Sequence, residues 1–287
     1  MAQQNEFRTT GQARVLAIHD ICGVGKCSLT AALPILSAAG IEACALPTAV
    51  FSNHTAFSTF VSEDLTHFLL PMAKAIKEQN FHFDAIYTGY LANDAQAEII
   101  SDIITLLADE DTRIIVDPAM ADGGVLYTCL PATFPAEMKK LCRRASVITP
   151  NVTEALLLLG RDGHDVPTTK EGYEELILSL SKDVGTSVVL TSVALEEGAI
   201  DCAVCEDGKV TFVSEPYVAH GYHGTGDVFS SVLTAAYLRG RSLVESTSIA
   251  AEFVRRTIRK TDKNNPNMWY GVNFEAELAS LSSLLAD

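Results

Sequence analysis

The sequence predicts an α/β protein with a mostly parallel central sheet, helices on both faces, and a small β-hairpin in the C-terminal third. Three observations lead there. Short apolar runs alternate with stretches of helical periodicity from Arg14 to about Arg259, the pattern of strand–helix units that cover both faces of a parallel sheet. Residues 199–213 break that alternation around Asp207-Gly208, a strong hairpin turn signal. Polar and glycine-rich segments follow one strand after another, and ligands of such sheets bind beyond the carboxyl ends of the strands.

Taken in order, residues 14–19 read as a strand, 20–25 as a turn and 27–39 as a helix ended by Gly40. Residues 41–46 form a second strand, and 47–55 form a polar loop too long for a simple turn. Helices are expected at 65–79, 95–108, 135–144, 151–159 and 171–182, and strands at 84–89, 113–117, 146–149 and 187–191. Pro118 stops further pairing and 121–124 make a flexible glycine loop. Asn151 caps its helix and Gly160 ends it. A glycine turn at 224–226 feeds a helix over 228–238, closed by Arg239-Gly240. A helix from 243 to about 259, a polar loop with Asn264, Asn265, Pro266 and Asn267, and a short last helix complete the chain. The whole, 1–287, reads as one domain with 1–12 as a flexible tail.

Bulk properties exclude several functions. Of 287 residues 48% are hydrophobic and 20% charged, an ordinary globular composition. A net charge of −15 argues against a sequence-blind grip on nucleic acid, which needs clustered Lys and Arg. No apolar run reaches membrane-spanning length, and residues 1–11 are polar, so a cytoplasmic protein without membrane attachment is expected. Seven scattered cysteines do not form a disulfide framework. Cys202 and Cys205 suggest a metal or redox pair, yet three apart on a strand they face opposite sides. Cys22 and Cys27 read as packing residues, and His220, Tyr222 and His223 as lid residues or, the preferred reading, loop polar groups.

The candidate site starts at Gly224-Thr225-Gly226-Asp227. The first turn of a helix has N–H groups without intrahelical partners and the positive end of the macrodipole, which suits an anion. Asp227 is then a first-turn stabiliser, or a base taking the proton of a hydroxyl that attacks a phosphoryl group. The same dipole would lower its pKa. Asp117 before Pro118 and Glu154 near a helix start are each explicable as caps. Together, at strand ends of one sheet, they suit magnesium–phosphate chemistry. Ser52, Asn53, His54 and Thr55 could read a small polar ligand or satisfy their own backbone. The segment 20–28 tempts a P-loop reading, but Asp20 stands where the first Gly belongs and Cys27 where a Ser or Thr should hold magnesium.

In combination, Gly224-Thr-Gly-Asp227, Asp117-Pro-Ala-Met120 and Thr149-Pro-Asn-Val-Thr-Glu154 resemble the ribokinase-like family of small-molecule kinases. Phe51-Ser-Asn-His-Thr55 and Thr88-Gly-Tyr90 are similar to its pyridoxal kinase branch. The resemblance spans residue 14 to about 259. It implies a three-layer ribokinase-like sandwich and ATP-dependent phosphorylation of the 5′-hydroxymethyl group of a B6 vitamer, pyridoxal, pyridoxine or pyridoxamine. It further implies Mg2+, often a monovalent cation such as K+, and a homodimer. By the same resemblance Asp227 is the base and the Gly224, Thr225 and Gly226 amides the anion hole. Asp117, Asn151 and Glu154 organise metal and nucleotide phosphates, with Asp117 and Glu154 as the metal acids and Thr149, Thr191 and Ser192 near the nucleotide. Thr55 and Tyr90 line the pyridine pocket, bordered by His54. Asp20 stands where the family commonly has Ser against the ring; its carboxylate could accept from the ring N–H, the 3-hydroxyl or a cationic aminomethyl group, and a preference for pyridoxamine over pyridoxal is the expectation. A hydroxymethylpyrimidine kinase, often with Cys in place of Asp227, is the second reading. A non-catalytic nucleotide-binding regulator on the same fold is the third.

Overall fold

The computed structural model describes residues 11–195, 199–216, 222–264 and 267–286. Its first half comprises β1 (Arg14–Cys22), α1 (Ser28–Ala38), β2 (Glu42–Phe51), β3 (Ser62–Asp64), α2 (Thr66–Glu78), β4 (Ala85–Thr88), α3 (Asp94–Leu107), β5 (Arg113–Val116), β6 (Ala121–Asp122), β7 (Val125–Leu126) and α4 (Phe134–Cys142). The second half comprises β8 (Val147–Ile148), α5 (Val152–Leu158), α6 (Lys170–Val184), β9 (Ser187–Val193), β10 (Ala199–Glu206), β11 (Lys209–Pro216), α7 (Thr225–Leu238), α8 (Leu243–Asn264) and α9 (Leu278–Ala286).

Nine strands form one sheet in the order β11-β10-β9-β8-β5-β4-β1-β2-β3. From β9 to β2 neighbours are parallel, and the edges β10, β11 and β3 are antiparallel. The expected fold class is therefore observed. Strand β1 lies between β2 and β4, so the strand order reverses there and a crevice opens at its carboxyl end.

Successive residues of the central strands feed two cores. Leu16, Ile86, Val116, Ile148 and Leu190 pack toward α2 through α6, while Val15, Tyr87, Ile115, Val147 and Val189 pack toward α1, α7, α8 and α9. Both sheet faces are thus covered, which is why these strands are apolar throughout instead of alternating with polar residues. Cys202 and Cys205 fall into opposite cores as their spacing requires, and all seven cysteines are free. Among the described residues no helix is long and apolar enough to cross a membrane.

Several boundaries differ from the expected ones. Asp20 is not in a turn, because β1 continues to Cys22 alongside β2, which itself runs through Pro47 to Phe51. Residues 47–51 are therefore strand instead of loop. Pro47 pairs with His19, and the register shifts between His19 and Ile21. A bulge is where a sheet tolerates a residue without an N–H. The unforeseen β3 is Ser62-Glu63-Asp64, exposed and polar, with no apolar pattern to announce it. Of the glycine loop expected at 121–124, Ala121 and Asp122 are β6 and Gly123-Gly124 are the turn of the β6–β7 hairpin. Helix α7 starts three residues before its first apolar position, and α8 extends to Asn264. His220, Asn265, Pro266 and residues 1–10 of the tail lie outside the described residues.

Candidate active site

Helix α7 is entered through Gly224 at φ 76°. A Cβ there would stand 2.0 Å from the Lys26 carbonyl oxygen, so both conformation and space demand glycine. Among the described residues no partner accepts from the N–H groups of Thr225, Gly226 and Asp227, so they are available to an anion. The Thr225 hydroxyl is turned back onto the Tyr222 carbonyl at 3.2 Å.

Asp227, third in α7, has a side chain only 15% exposed. Its carboxyl accepts from the Ser28 backbone N–H, yet burial, followed by the charges of Asp117 and Asp20, pushes its pKa up to about 8. The expected lowering by the helix is thus reversed. A helix end is worth roughly 0.3–1 kcal/mol near water, whereas desolvation beside other carboxylates acts on the whole charge. Residual solvent contact moderates the rise without changing its direction.

Ser28 connects this acid to a second. Its hydroxyl donates to Asp20 Oδ1 at 2.5 Å, and burial raises Asp20 to about 6 against that hydrogen bond. Ser28 has φ 51°, an unusual value for a non-glycine residue that the surrounding contacts must hold. Behind both acids lies His19, fully buried, its ring edge-on to Tyr87 at 4.4 Å between centroids. His19 Nδ1 is 3.9 Å from Asp227 Oδ1.

The acids at the ends of β5 and β8 form a connected group. Ser230, one turn after Asp227, donates to Asp117 Oδ2 at 2.9 Å and contacts the Thr149 hydroxyl at 2.9 Å. Burial pushes Asp117 up to about 7. Asn151 and Glu154 make a capping box on α5. Glu154 Oε2 accepts from the Asn151 N–H at 2.8 Å, and Oε1 from the N–H groups of Met120 and Ala121 at 3.0 and 3.4 Å. Burial and then Asp117 raise the Glu154 pKa. The Asn151 amide donates to the Ala121 carbonyl at 2.8 Å, and Asn151 bridges Thr191 across the sheet end. Ser192 follows with φ 61°.

Two buried carboxyls whose ionisation burial disfavours are suited to a divalent cation, which would restore their charge. Magnesium characteristically takes one or two carboxylates, with water and phosphate completing its shell. Among the described residues no group of three or more His, Cys, Asp or Glu is placed to hold a metal ion.

The remaining candidates lie toward β2 and β4. Tyr90 stands edge-on to Phe51 at 6.3 Å, and its hydroxyl meets Cys129 Sγ at 3.0 Å. Thr55 is exposed on the segment after β2. Neighbouring His54 stacks on His223 at 4.5 Å between centroids, one residue before the α7 cap. Burial and then His223 lower His54 to about 4. So Asp20 and Asp227 are gathered through Ser28, and Asp117, Thr149, Asn151, Glu154 and Thr191 through Ser230 and the capping box. Ser28, Tyr87 and Ser230 were not legible as site residues in the sequence. Only the position of Ser230, three after Asp227 on the same helix, offered a signal.

Residues 26–272 match the phosphomethylpyrimidine kinase family. A Bacteroides thetaiotaomicron protein described as a phosphomethylpyrimidine kinase is 35% identical and superimposes with a TM-score of 0.91 over 96% of both chains. A second crystal form of that protein, 36% identical over 94% of this chain and 96% of that one with a TM-score of 0.89, contains pyridoxal. The pyridoxal kinase of Lactobacillus plantarum, 28% identical, covers 95% of this chain and 97% of its own at a TM-score of 0.87. The pyridoxal kinase of Corynebacterium diphtheriae is 27% identical over 264 residues, 86% of this chain and 89% of that one. Since the family match spans most of its length, the chain belongs to the phosphomethylpyrimidine kinase family.

Proposed function

We propose that the protein is an ATP-dependent kinase of B6 vitamers, transferring the γ-phosphoryl group to the 5′-hydroxymethyl oxygen of pyridoxal, pyridoxine or pyridoxamine. The observation that carries this reading is Asp227: a shielded carboxyl with its pKa raised to about 8, beside three N–H groups of a helix start. Once ionised, such a group is a stronger proton acceptor than an ordinary carboxylate, with a pKa near the operating pH. The alcohol oxygen bonds to phosphorus, the bond from phosphorus to the ADP oxygen breaks, and the alcohol proton passes to Asp227. Thr225, Gly226 and Asp227 offer N–H groups to the charge on the moving phosphoryl oxygens.

Asp117 and Glu154 would hold Mg2+, Asp117 through the oxygen that Ser230 does not occupy and Glu154 chiefly through its charge, since backbone N–H groups already bind both its oxygens. A magnesium ion held by these residues would supply neutralisation of the phosphate charge. Thr149, Asn151, Thr191 and Ser192 border the nucleotide in this reading. Thr55, Tyr90 and His54 border the pyridine, and Asp20 faces its polar edge. The enzyme works as a homodimer in the cytoplasm, a reducing compartment that suits seven free thiols.

The family's own description, a kinase of phosphomethylpyrimidine, favours one second reading, a pyrimidine kinase acting on the related hydroxymethylpyrimidine. Thermal shift with ATP, the three vitamers and hydroxymethylpyrimidine, followed by phosphate-transfer assays with and without Mg2+ and K+, separates the two. Transfer to the pyrimidine alone refutes the vitamer reading. Nucleotide binding without transfer to any acceptor refutes the kinase reading and favours a regulator. Light scattering reads the oligomer.

A further inference from the structure

A buried histidine sits behind the base. The His19 ring is wholly buried, and neither of its nitrogens has a hydrogen-bond partner among the described residues. Burying a polar group without a partner is destabilising, a cost that an apolar residue on this apolar strand would avoid. The surroundings are nevertheless shaped to the ring. Gly89 lies over it so closely that a Cβ there would fall 2.2 Å from Nδ1 and 2.4 Å from Cε1. Tyr87 meets the ring in an edge-on contact, planes 72° apart. Nδ1 is thereby left 3.9 Å from Asp227 Oδ1.

Resting on the kinase reading, we propose that His19 is a positioning residue for the base: its neutral ring directs Nδ1–H at Asp227 Oδ1 and leaves the second carboxyl oxygen to the alcohol. At 3.9 Å the hydrogen bond is not made. Catalytic hydrogen bonds are often long without substrate and tighten in the reacting complex, and here closure needs a shift of only about 1 Å to reach ordinary N–H to oxygen distance. Desolvation holds the ring neutral, with a pKa lowered to about 3. A neutral donor orients the carboxylate without the charge that would sap its basicity. The other titratable groups around Asp227 are Asp20, Cys22, Cys27, Tyr87, Asp117 and Tyr127. All are acids, so none of them replaces His19 as an imidazole donor. With the Ser28 N–H already on this carboxyl, a second donor fixes its rotation.

The test compares His19→Leu, His19→Gln and His19→Asn in the full-length protein, with pyridoxal and ATP both varied. The Asn amide nitrogen reaches the place of Nδ1, the Gln amide does not, and Leu has no donor. Leu and Gln variants are expected to lose roughly 10–100-fold in kcat, with both KM values within about twofold of wild type and Asn within about fivefold in kcat. The melting temperature of the Leu variant should equal or exceed that of wild type, since two unsatisfied nitrogens are gone. Unchanged kcat in the Leu variant, an Asn variant as slow as Leu, or a loss confined to KM overturns the proposal. So does a fall in melting temperature shared by all three variants, which marks a packing role. Wild-type turnover tests the kinase reading separately: an inactive wild type refutes the kinase, whereas an active wild type with an indifferent Leu variant refutes His19 alone.

Discussion

Replacing Asp227 by Asn separates the cost of the base from its use. The amide keeps the volume at the head of α7 but neither ionises nor accepts a proton. Removing a general base lowers kcat by about 10²- to 10⁴-fold, or about 3–5 kcal/mol of transition-state stabilisation, while vitamer and nucleotide affinity stay within a few-fold. Stability moves the other way. The carboxyl pKa is about 8 in the fold against 3.8 for the ordinary group. Over that interval the folded chain binds the extra proton, so stability falls as pH rises from about 4 to about 8 and is level beyond. Four units at ~1.4 kcal/mol each bound the cost near 6 kcal/mol. Solvent contact at a side chain 15% exposed reduces this to ~2 kcal/mol, or ~4 °C of melting temperature in a domain of this size. Steady-state kinetics with pyridoxal and melting curves from pH 4 to 9 read both effects. The Asn variant should be slow at every pH and more stable than wild type, with the gap widest above about pH 8 and closed by pH 4. Near-wild-type turnover refutes Asp227 as base, and a stability gap that widens toward low pH refutes the assigned electrostatics.

Three further outcomes are expected. Asp20→Ser should lower the pyridoxamine-to-pyridoxal ratio of kcat/KM about tenfold, the worth of a charge-assisted hydrogen bond; in wild type that ratio should rise with pH through about 6, where Asp20 ionises, and an unchanged ratio in the variant refutes the role. Gly224→Ala must adopt φ 76° and displace the Lys26 carbonyl 2.0 Å from its Cβ; about 1–2 kcal/mol of backbone strain should lower the melting temperature and cut kcat/KM for ATP at least tenfold. Ser230→Ala removes the hydroxyl joining Thr149 to Asp117; the Mg2+ concentration for half-maximal rate should rise about threefold, for loss of one hydrogen bond of roughly 0.5–1.5 kcal/mol, with turnover recovered at saturating Mg2+.

The sequence by itself determined what is local or periodic. Apolar runs alternating with helical spacing specified the mostly parallel sheet, Asp207-Gly208 the antiparallel hairpin, and Gly224 through Asp227 a helix start with an acid in its first turn. These signals lie within a few residues of the feature they announce, so chain order suffices to read them. Tertiary structure alone decided the rest. Strand β2 prolongs β1 past a turn-like segment, and the polar β3 pairs only because the edge of β2 is there to receive it. The pKa of Asp227 rises because the fold buries it, and then because Asp117 and Asp20, 110 and 207 positions away by residue number, share its dry corner. Ser28, Tyr87 and His19 meet that acid from distant parts of the chain for the same reason. Burial and charge sum over neighbours in space, and no window along the chain contains them.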